Sequence, residues 1–294
     1  MTSSVLFAQI GIIGTGRVAR AFAHGLSSHS AQAPLLWGRT PGNLERAVAQ
    51  AGRFRIAGDL SVLAGACDVI VIAVADDAIG PVVEQLAKAL PARQPPFVCH
   101  VSGSRGTAVL DPLRQRGART AAIHPVMTFT GDPQLEVERM AGARFAVTAS
   151  DAEAGTLSRL IVSALGGVAA EVPEERRALY HAALCHAANH LVTLIAGSCD
   201  ALAAAGVGDP GALLAPLARA ALENSLEHGI DALSGPLLRG DTKTVAGHME
   251  ALDAHCPEVA PAYRAMALAT LDEIGRSRGE PASQELHALL QPTQ

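Results

Sequence analysis

The sequence predicts an α/β fold, a doubly wound parallel sheet followed by an all-helical C-terminal domain, and three observations carry that reading. Short Val- and Ile-rich runs alternate with stretches of helical periodicity through the first half. A glycine-rich turn joins the first run to the first helical stretch. Beyond Val172 the strand signals stop and only helical patterns remain.

Taken in order, the apolar runs are VLFAQIGIIG, APLLWG, CDVIVIAVA, PFVCHVSG and RTAAIHP, each ending in Gly, Ser, Pro or polar residues. Strands this poor in charge belong to a parallel sheet covered on both faces. Between them, RVARAFAHGL, PGNLERAVAQAG, AIGPVVEQLAKAL and GTAVLDPLRQRG repeat apolar residues three and four apart, one face of a helix. RFAVTAS and GGVAAEV extend the sheet around a helix from Ala152 to Leu165. A long helix is expected from about Glu174 to Ala205, and the later helices break at AGVGDPGA, LSGPLLRGD and HCPEVAP. The boundary falls near Pro173, dividing the chain into domains 1–172 and 173–294.

Composition narrows the function. The 294 residues are 49% hydrophobic but only 3% aromatic, so the core is aliphatic and rich in small side chains. A net charge of -5 offers no general attraction to nucleic acid or anionic membranes. No Lys or Arg precedes Arg17, which argues against a secretory or transit leader, and no apolar run is expected to reach membrane-spanning length. The five cysteines are dispersed without C-x-x-C spacing, as expected in a reducing cytoplasm.

The turn Gly14-Thr15-Gly16-Arg17-Val18-Ala19 follows a strand and opens a helix, the context of a Rossmann-type dinucleotide fingerprint. Its first glycine permits the tight turn, its second admits the diphosphate, and the small third residue lets helix and strand pack. The amides at the helix start then face the anion. After the second strand, a free ribose hydroxyl would call for Asp or Glu, but the chain offers Gly38-Arg39-Thr40. A guanidinium and a hydroxyl there suit a 2'-phosphate, so NADP is the expected cofactor. The alternative is a solvated Arg39 with Thr40 capping the next helix.

Ligands of open parallel sheets lie beyond the carboxyl ends of the strands. That edge holds Val74, Ala75, Asp76 and Asp77, then Ser102 and Ser104, then His124. One of the two aspartates is expected to cap a helix beginning at Ala78. Ser102-Gly103 either bonds the nicotinamide amide or a substrate, or forms a strand-ending turn. His124, between a strand and Pro125, is placed to exchange a proton near neutral pH, or else is an ordinary buried histidine. On the long helix, His186, Asn189, His190, Thr193 and Asp200 share one face, suiting a cleft wall or subunit interface. His186 and His190 have metal-pair spacing but lack an H-E-x-x-H glutamate, and no metal is expected. Tyr180 and His181 lie on other faces and reach toward the domain junction. Arg239 either clamps an anionic group or pairs with Asp241, the N-cap of a helix from Thr242. Lysine chemistry is disfavoured, because only Lys88 and Lys243 exist.

The pieces GIIGTGRVA, VADDAI, HVSGS, IHPVMTF, YHAALCHAANH and ALSGPLLRGDTKTVAGH together resemble a bacterial Rossmann-like family with a C-terminal helical domain of unknown function. That family is related to pyrroline-5-carboxylate reductase, prephenate dehydrogenase and the β-hydroxyacid dehydrogenases. The resemblance implies NADP binding and a homodimer built through the helical domain. IHPV is similar to the His-Pro element of prephenate dehydrogenases, which implies that His124 lies near the reacting carbon. The Lys-x-x-x-Asn signature of the β-hydroxyacid dehydrogenases is not met, since Cys185 stands four before Asn189. Histidine or tyrosine is left to move the proton.

The expectation is therefore an NADP-dependent oxidoreductase acting on a small polar keto acid, hydroxy acid or cyclic imine held between the two domains. The expected acid/base and orienting residues are His124, Asn189, Tyr180 and His181, with His186 and Arg239 also toward the substrate. A non-catalytic NADP-binding sensor or assembly protein is the competing class.

Overall fold

The computed structural model describes residues 5–51, 54–92, 94–279 and 283–291. Eight strands form one sheet in the order β3-β2-β1-β4-β5-β6-β7-β8. They are β1 Ile10–Ile13, β2 Leu35–Trp37, β3 Arg55–Ile56, β4 Val69–Ile72, β5 Phe97–His100, β6 Thr120–Pro125, β7 Arg144–Ala149 and β8 Val168–Glu171. The helices of this half are α1 Arg17–Leu26, α2 Pro41–Ala51, α3 Leu60–Ala66, α4 Asp76–Ala89, α5 Asp111–Arg114, α6 Pro133–Met140 and α7 Ala152–Ala164. The stretch expected to be helical to Gly52 is thus helical to Ala51, and Gly52 itself lies outside the described residues.

Burial alternates along the strands as a two-sided sheet requires. Val69 and Val71 share one apolar cluster with α1, α2 and α7, whereas Ile70 and Ile72 share another with α3 and α4. Strands β1, β2 and β4 are parallel, but the order in which strands are added to the sheet reverses between β1 and β4, so a crevice opens beyond the carboxyl ends of those strands.

Three details differ from the sequence expectation. β7 runs antiparallel to β6, with Ala121 opposite Ala149 and Pro125 opposite Phe145, so the sheet is mostly rather than wholly parallel. A two-residue strand, β3, and two short helices, α3 and α6, are additional. Both helices start on aspartate caps, Asp59 accepting from the amides of Ser61 and Val62, and Asp132 from those of Gln134 and Leu135. Finally, α4 starts at Asp76 itself with Ala75 as its N-cap, so neither Asp76 nor Asp77 caps a helix at Ala78.

Two compact units divide the chain, Met1–Leu184 and Cys185–Gln294. The second holds most of α8 Arg177–Ala204, then α9 Pro210–His228, α10 Pro236–Arg239, α11 Thr242–His255, α12 Ala260–Arg278 and α13 Gln284–Leu290. Its core is built by α11, α12 and α13 around Val245, Met249, Leu271 and Leu286. Asp241 caps α11 through the Thr244 amide, as its position before the helix predicts. None of the residues of α9 is buried. One helical stretch among the described residues, Glu174–Ala204, is long and apolar enough to cross a membrane by length and composition, which corrects the expectation that no such run exists.

Candidate cofactor and proton-transfer site

A cleft of about 580 Å³ opens in the first unit along the carboxyl ends of β1, β2, β4, β5 and β6. Gly14 makes the turn out of β1 with φ +128°, and a Cβ there would stand 2.1 Å from the Ala73 carbonyl oxygen. Only glycine meets both demands. A Cβ on Gly16, by contrast, would meet nothing within 4 Å, so the backbone faces open space. Gly16 is also the N-cap of α1, with no side-chain cap and no acid in the first turn. Free amides and open space at a helix start fit the diphosphate of a dinucleotide.

Every cofactor-contacting candidate named from sequence borders this cleft: Gly14, Thr15, Gly16, Arg17, Val18, Arg39, Thr40, Val74, Ala75 and Ser102. Arg39 and Thr40 are exposed beyond β2, and the Thr40 carbonyl accepts the amides of Asn43 and Leu44 to start α2. Arg17 donates from Nη1 to the Phe129 carbonyl at 3.1 Å, tying the loop after β6 to the cleft. Ser102 is turned into its own loop, its Oγ accepting the Arg105 amide at 3.1 Å. Asp76, freed from capping, accepts the Ser104 hydroxyl at 2.6 Å.

At the other end stand His124 and His181, their rings 6.2 Å apart and nearly perpendicular. His124 Nδ1 lies 2.7 Å from the Tyr180 hydroxyl. A Cβ on Gly103 would stand 2.6 Å from His181 Cδ2 and 2.9 Å from His124 Nε2, so both imidazoles close over a bare backbone. Burial, reinforced by the Arg177 and His181 charges, pulls His124 down to about 4. The ring is neutral at pH 7, which corrects the expectation of a histidine titrating near neutrality. Burial also raises Tyr180, keeping its hydroxyl protonated.

Below them, His100 is fully buried, its Nε2 donating to the Gly106 carbonyl at 2.8 Å and its Nδ1 accepting the Ser102 amide at 3.2 Å. That pair of bonds fixes one neutral tautomer, and burial lowers its pKa to about 4. His100 and Arg177 were not singled out from sequence, whereas Gly103 was, as part of the Ser102-Gly103 turn. A histidine inside an apolar run and one arginine of an Arg-Arg pair carry no local signal of what they touch.

The remaining candidates belong to the second unit. His186, Asn189 and Arg239 are exposed there, and His186 Nδ1 lies 2.9 Å from His190 Nδ1. No group of three metal-ligating side chains occurs among the described residues.

A mostly parallel sheet with a glycine turn opening its first helix defines a Rossmann-type domain, here followed by a helical unit. Residues 4–125 match the model of the Rossmann-like domain, and residues 143–270 match the domain of unknown function DUF2520. The chain carries both, as its resemblance to that bacterial family implied. No curated protein sequence matches it. Among solved structures, a candidate NADP oxidoreductase from Bacteroides fragilis is 19% identical, with 91% of this chain and 99% of that chain covered and a TM-score of 0.74. A reductive aminase from Aspergillus terreus, in complex with NADPH and ethyl-5-oxohexanoate, is 18% identical over 96% of this chain and 98% of its own, with a TM-score of 0.66. Pyrroline carboxylate reductase from Plasmodium falciparum with NADP bound is 16% identical over 86% and 97%, with a TM-score of 0.57. At these identities the likeness establishes the fold.

Proposed function

We propose that this chain is an NADP-dependent oxidoreductase transferring a hydride to or from a small polar substrate, a keto or hydroxy acid or a cyclic imine. The observation that carries this reading is the single cleft bordered by the uncapped glycine turn and Arg39 at one end and by His124 and His181 at the other. Arg39 has the charge and the fork for a 2'-phosphate, and no acid follows β2 to repel one. The solved neighbours described with NADP or NADPH favour the same cofactor.

The bound nicotinamide supplies or accepts the hydride, and the chain's own residues manage orientation and the proton. A phenol is a stronger acid than a neutral imidazole N–H, so the Tyr180 hydroxyl donates to His124 Nδ1. His124 then carries its hydrogen on Nε2, the atom nearest the bare Gly103 backbone. In carbonyl reduction that N–H gives its proton to the substrate oxygen, and Tyr180 returns one to Nδ1. In the reverse direction the same pair accepts the proton.

We also propose a cytoplasmic homodimer built through the helical unit, supported by the exposed leucines of α9 and by five free cysteines. Calorimetric titration with NADPH and NADH tests the cofactor, with NADPH expected to bind at least tenfold more tightly, a difference of about 1.4 kcal/mol. A panel of keto acids and cyclic imines followed at the NADPH absorbance tests the chemistry. Absence of heat from either cofactor refutes the reading.

A further inference from the structure

Among the described residues Arg177 is the largest fully buried side chain, only 2% exposed; no carboxylate accepts a hydrogen bond from it, and the Glu174 charge acts on it from nearby. Its guanidinium instead reads backbone. Nη2 donates to the Ser102 carbonyl at 2.6 Å, Nε to the Arg105 carbonyl at 3.1 Å, and Nη1 to Thr148 Oγ1 at 3.3 Å. The Tyr180 ring lies under the guanidinium carbon at 5.6 Å. Three separate segments therefore meet on one side chain: the 102–105 turn after β5, strand β7 and the first turn of α8.

Taking a cation out of water is costly relative to an apolar residue of the same volume, and the Glu174 charge offsets only part of that cost. Packing alone does not call for one here, because Met or Leu would fill the same space. What the guanidinium adds is direction. Its rigid fork satisfies acceptors at fixed angles, while its flat face sets the plane of the Tyr180 ring. Tyr180 in turn holds His124, and Gly103, on the clamped turn, packs against both His124 and His181.

We propose that Arg177 is a positioning residue for the proton-transfer pair, clamping the 102–105 turn to the start of α8 and so fixing Tyr180 and His124 in their hydrogen-bonded arrangement. The significance for catalysis rests on the function proposed above, whereas the arrangement itself is readable in the protein without cofactor or substrate. The charged and titratable groups facing His124 are Arg177, His181, Asp76, His100 and Tyr180.

The test is a ring-proton NMR titration of His124 in the full chain and in Arg177→Lys, Arg177→Gln and Thr148→Val. In the unaltered protein His124, pulled down by burial, should titrate at about 4. Loss of the fork loosens Tyr180 and admits water, so both Arg177 variants should titrate closer to the ordinary 6.5, with Thr148→Val moving partway in the same direction. Lysine keeps the charge but cannot span the three acceptors. A wild-type midpoint in Arg177→Lys would mean that charge alone matters and would overturn the proposal. Should the Arg177 variants fail to fold, Thr148→Val carries the test, and an unmoved His124 in that folded chain overturns it equally. Under NADPH turnover, the Arg177 variants should lose kcat with little change in the cofactor KM. A chain that binds no NADPH at all refutes the proposed function while leaving the NMR result to decide this inference.

Discussion

His124 shows how far a residue's surroundings change what its type promises. An exposed imidazole titrates near 6.5, but burial beside Arg177 and His181 brings this one to about 4. In the proposed reaction it therefore acts as a neutral N–H donor replenished by Tyr180. His124→Ala is expected to lower turnover by about 10²- to 10⁴-fold, the usual contribution of a positioned acid/base, while NADPH affinity stays near wild type. Steady-state rates and cofactor titration of the same preparation check both halves. Arg39 answers a different question. Arg39→Glu replaces a phosphate donor with a repelling acid that instead accepts from a ribose hydroxyl. NADPH binding should weaken about 10- to 100-fold, the worth of a charged hydrogen bond, and NADH should gain. Parallel titrations with the two cofactors decide it. The residues that sequence made visible at this scale, Gly14, Gly16, Arg39 and His124, are those whose chemistry depends on local context. Arg177 and His100 were invisible because their roles depend on what they touch in the fold, for Arg177 on partners dozens of residues away, which no periodicity records.

Elements were legible to the degree that they bury a face. β1, β4 and β5 are fully buried runs bounded by turn residues, and the sequence announces them plainly. β3 is two exposed residues held only by the edge of β2, so its sequence has no hydrophobic pattern to read. The direction of β7 is likewise absent from composition, since an antiparallel strand in this position has the same apolar content as a parallel one. The strand ends also create a pH dependence. His100 on β5 and His124 on β6 both fall to about 4 in the fold from an ordinary 6.5. Between those values the unfolded chain binds more protons than the folded one, so stability rises with pH through that window. It is fully present above 6.5 and is lost as pH falls toward 4, by roughly 3 kcal/mol for each histidine on the free-energy equivalent of its shift. The melting temperature should therefore drop steeply from pH 6.5 to 4, and His124→Asn should flatten part of that slope. A melting curve unaffected by pH across this interval would show that the two rings are not held neutral.

For the whole molecule, the helical unit poses the remaining problem of covering its apolar surface. Leu213, Leu217, Leu222 and Leu226 on α9 are 58, 69, 46 and 80% exposed, and Leu191, Val192 and Leu194 on α8 are open as well. A monomer seldom leaves so many aliphatic side chains along two successive helices in water. Each leucine fully covered by a partner contributes about 1.5–3 kcal/mol, so a handful on each subunit is enough for a stable association. The proposed homodimer supplies that cover with no additional component. The chain should sediment at twice its 30.2 kDa mass. Placing aspartate at Leu217 and Leu226 together puts two carboxylates where leucine would be desolvated, which should weaken dimerisation by about 100-fold or more. Because α9 contributes no buried residue to its own unit, the double variant should keep the wild-type circular dichroism of the fold while dissociating. Loss of the fold along with the dimer would mean that the two are one cooperative structure. A chain that sediments as a monomer at micromolar concentration would leave these leucines to another partner, and the dimer would be wrong.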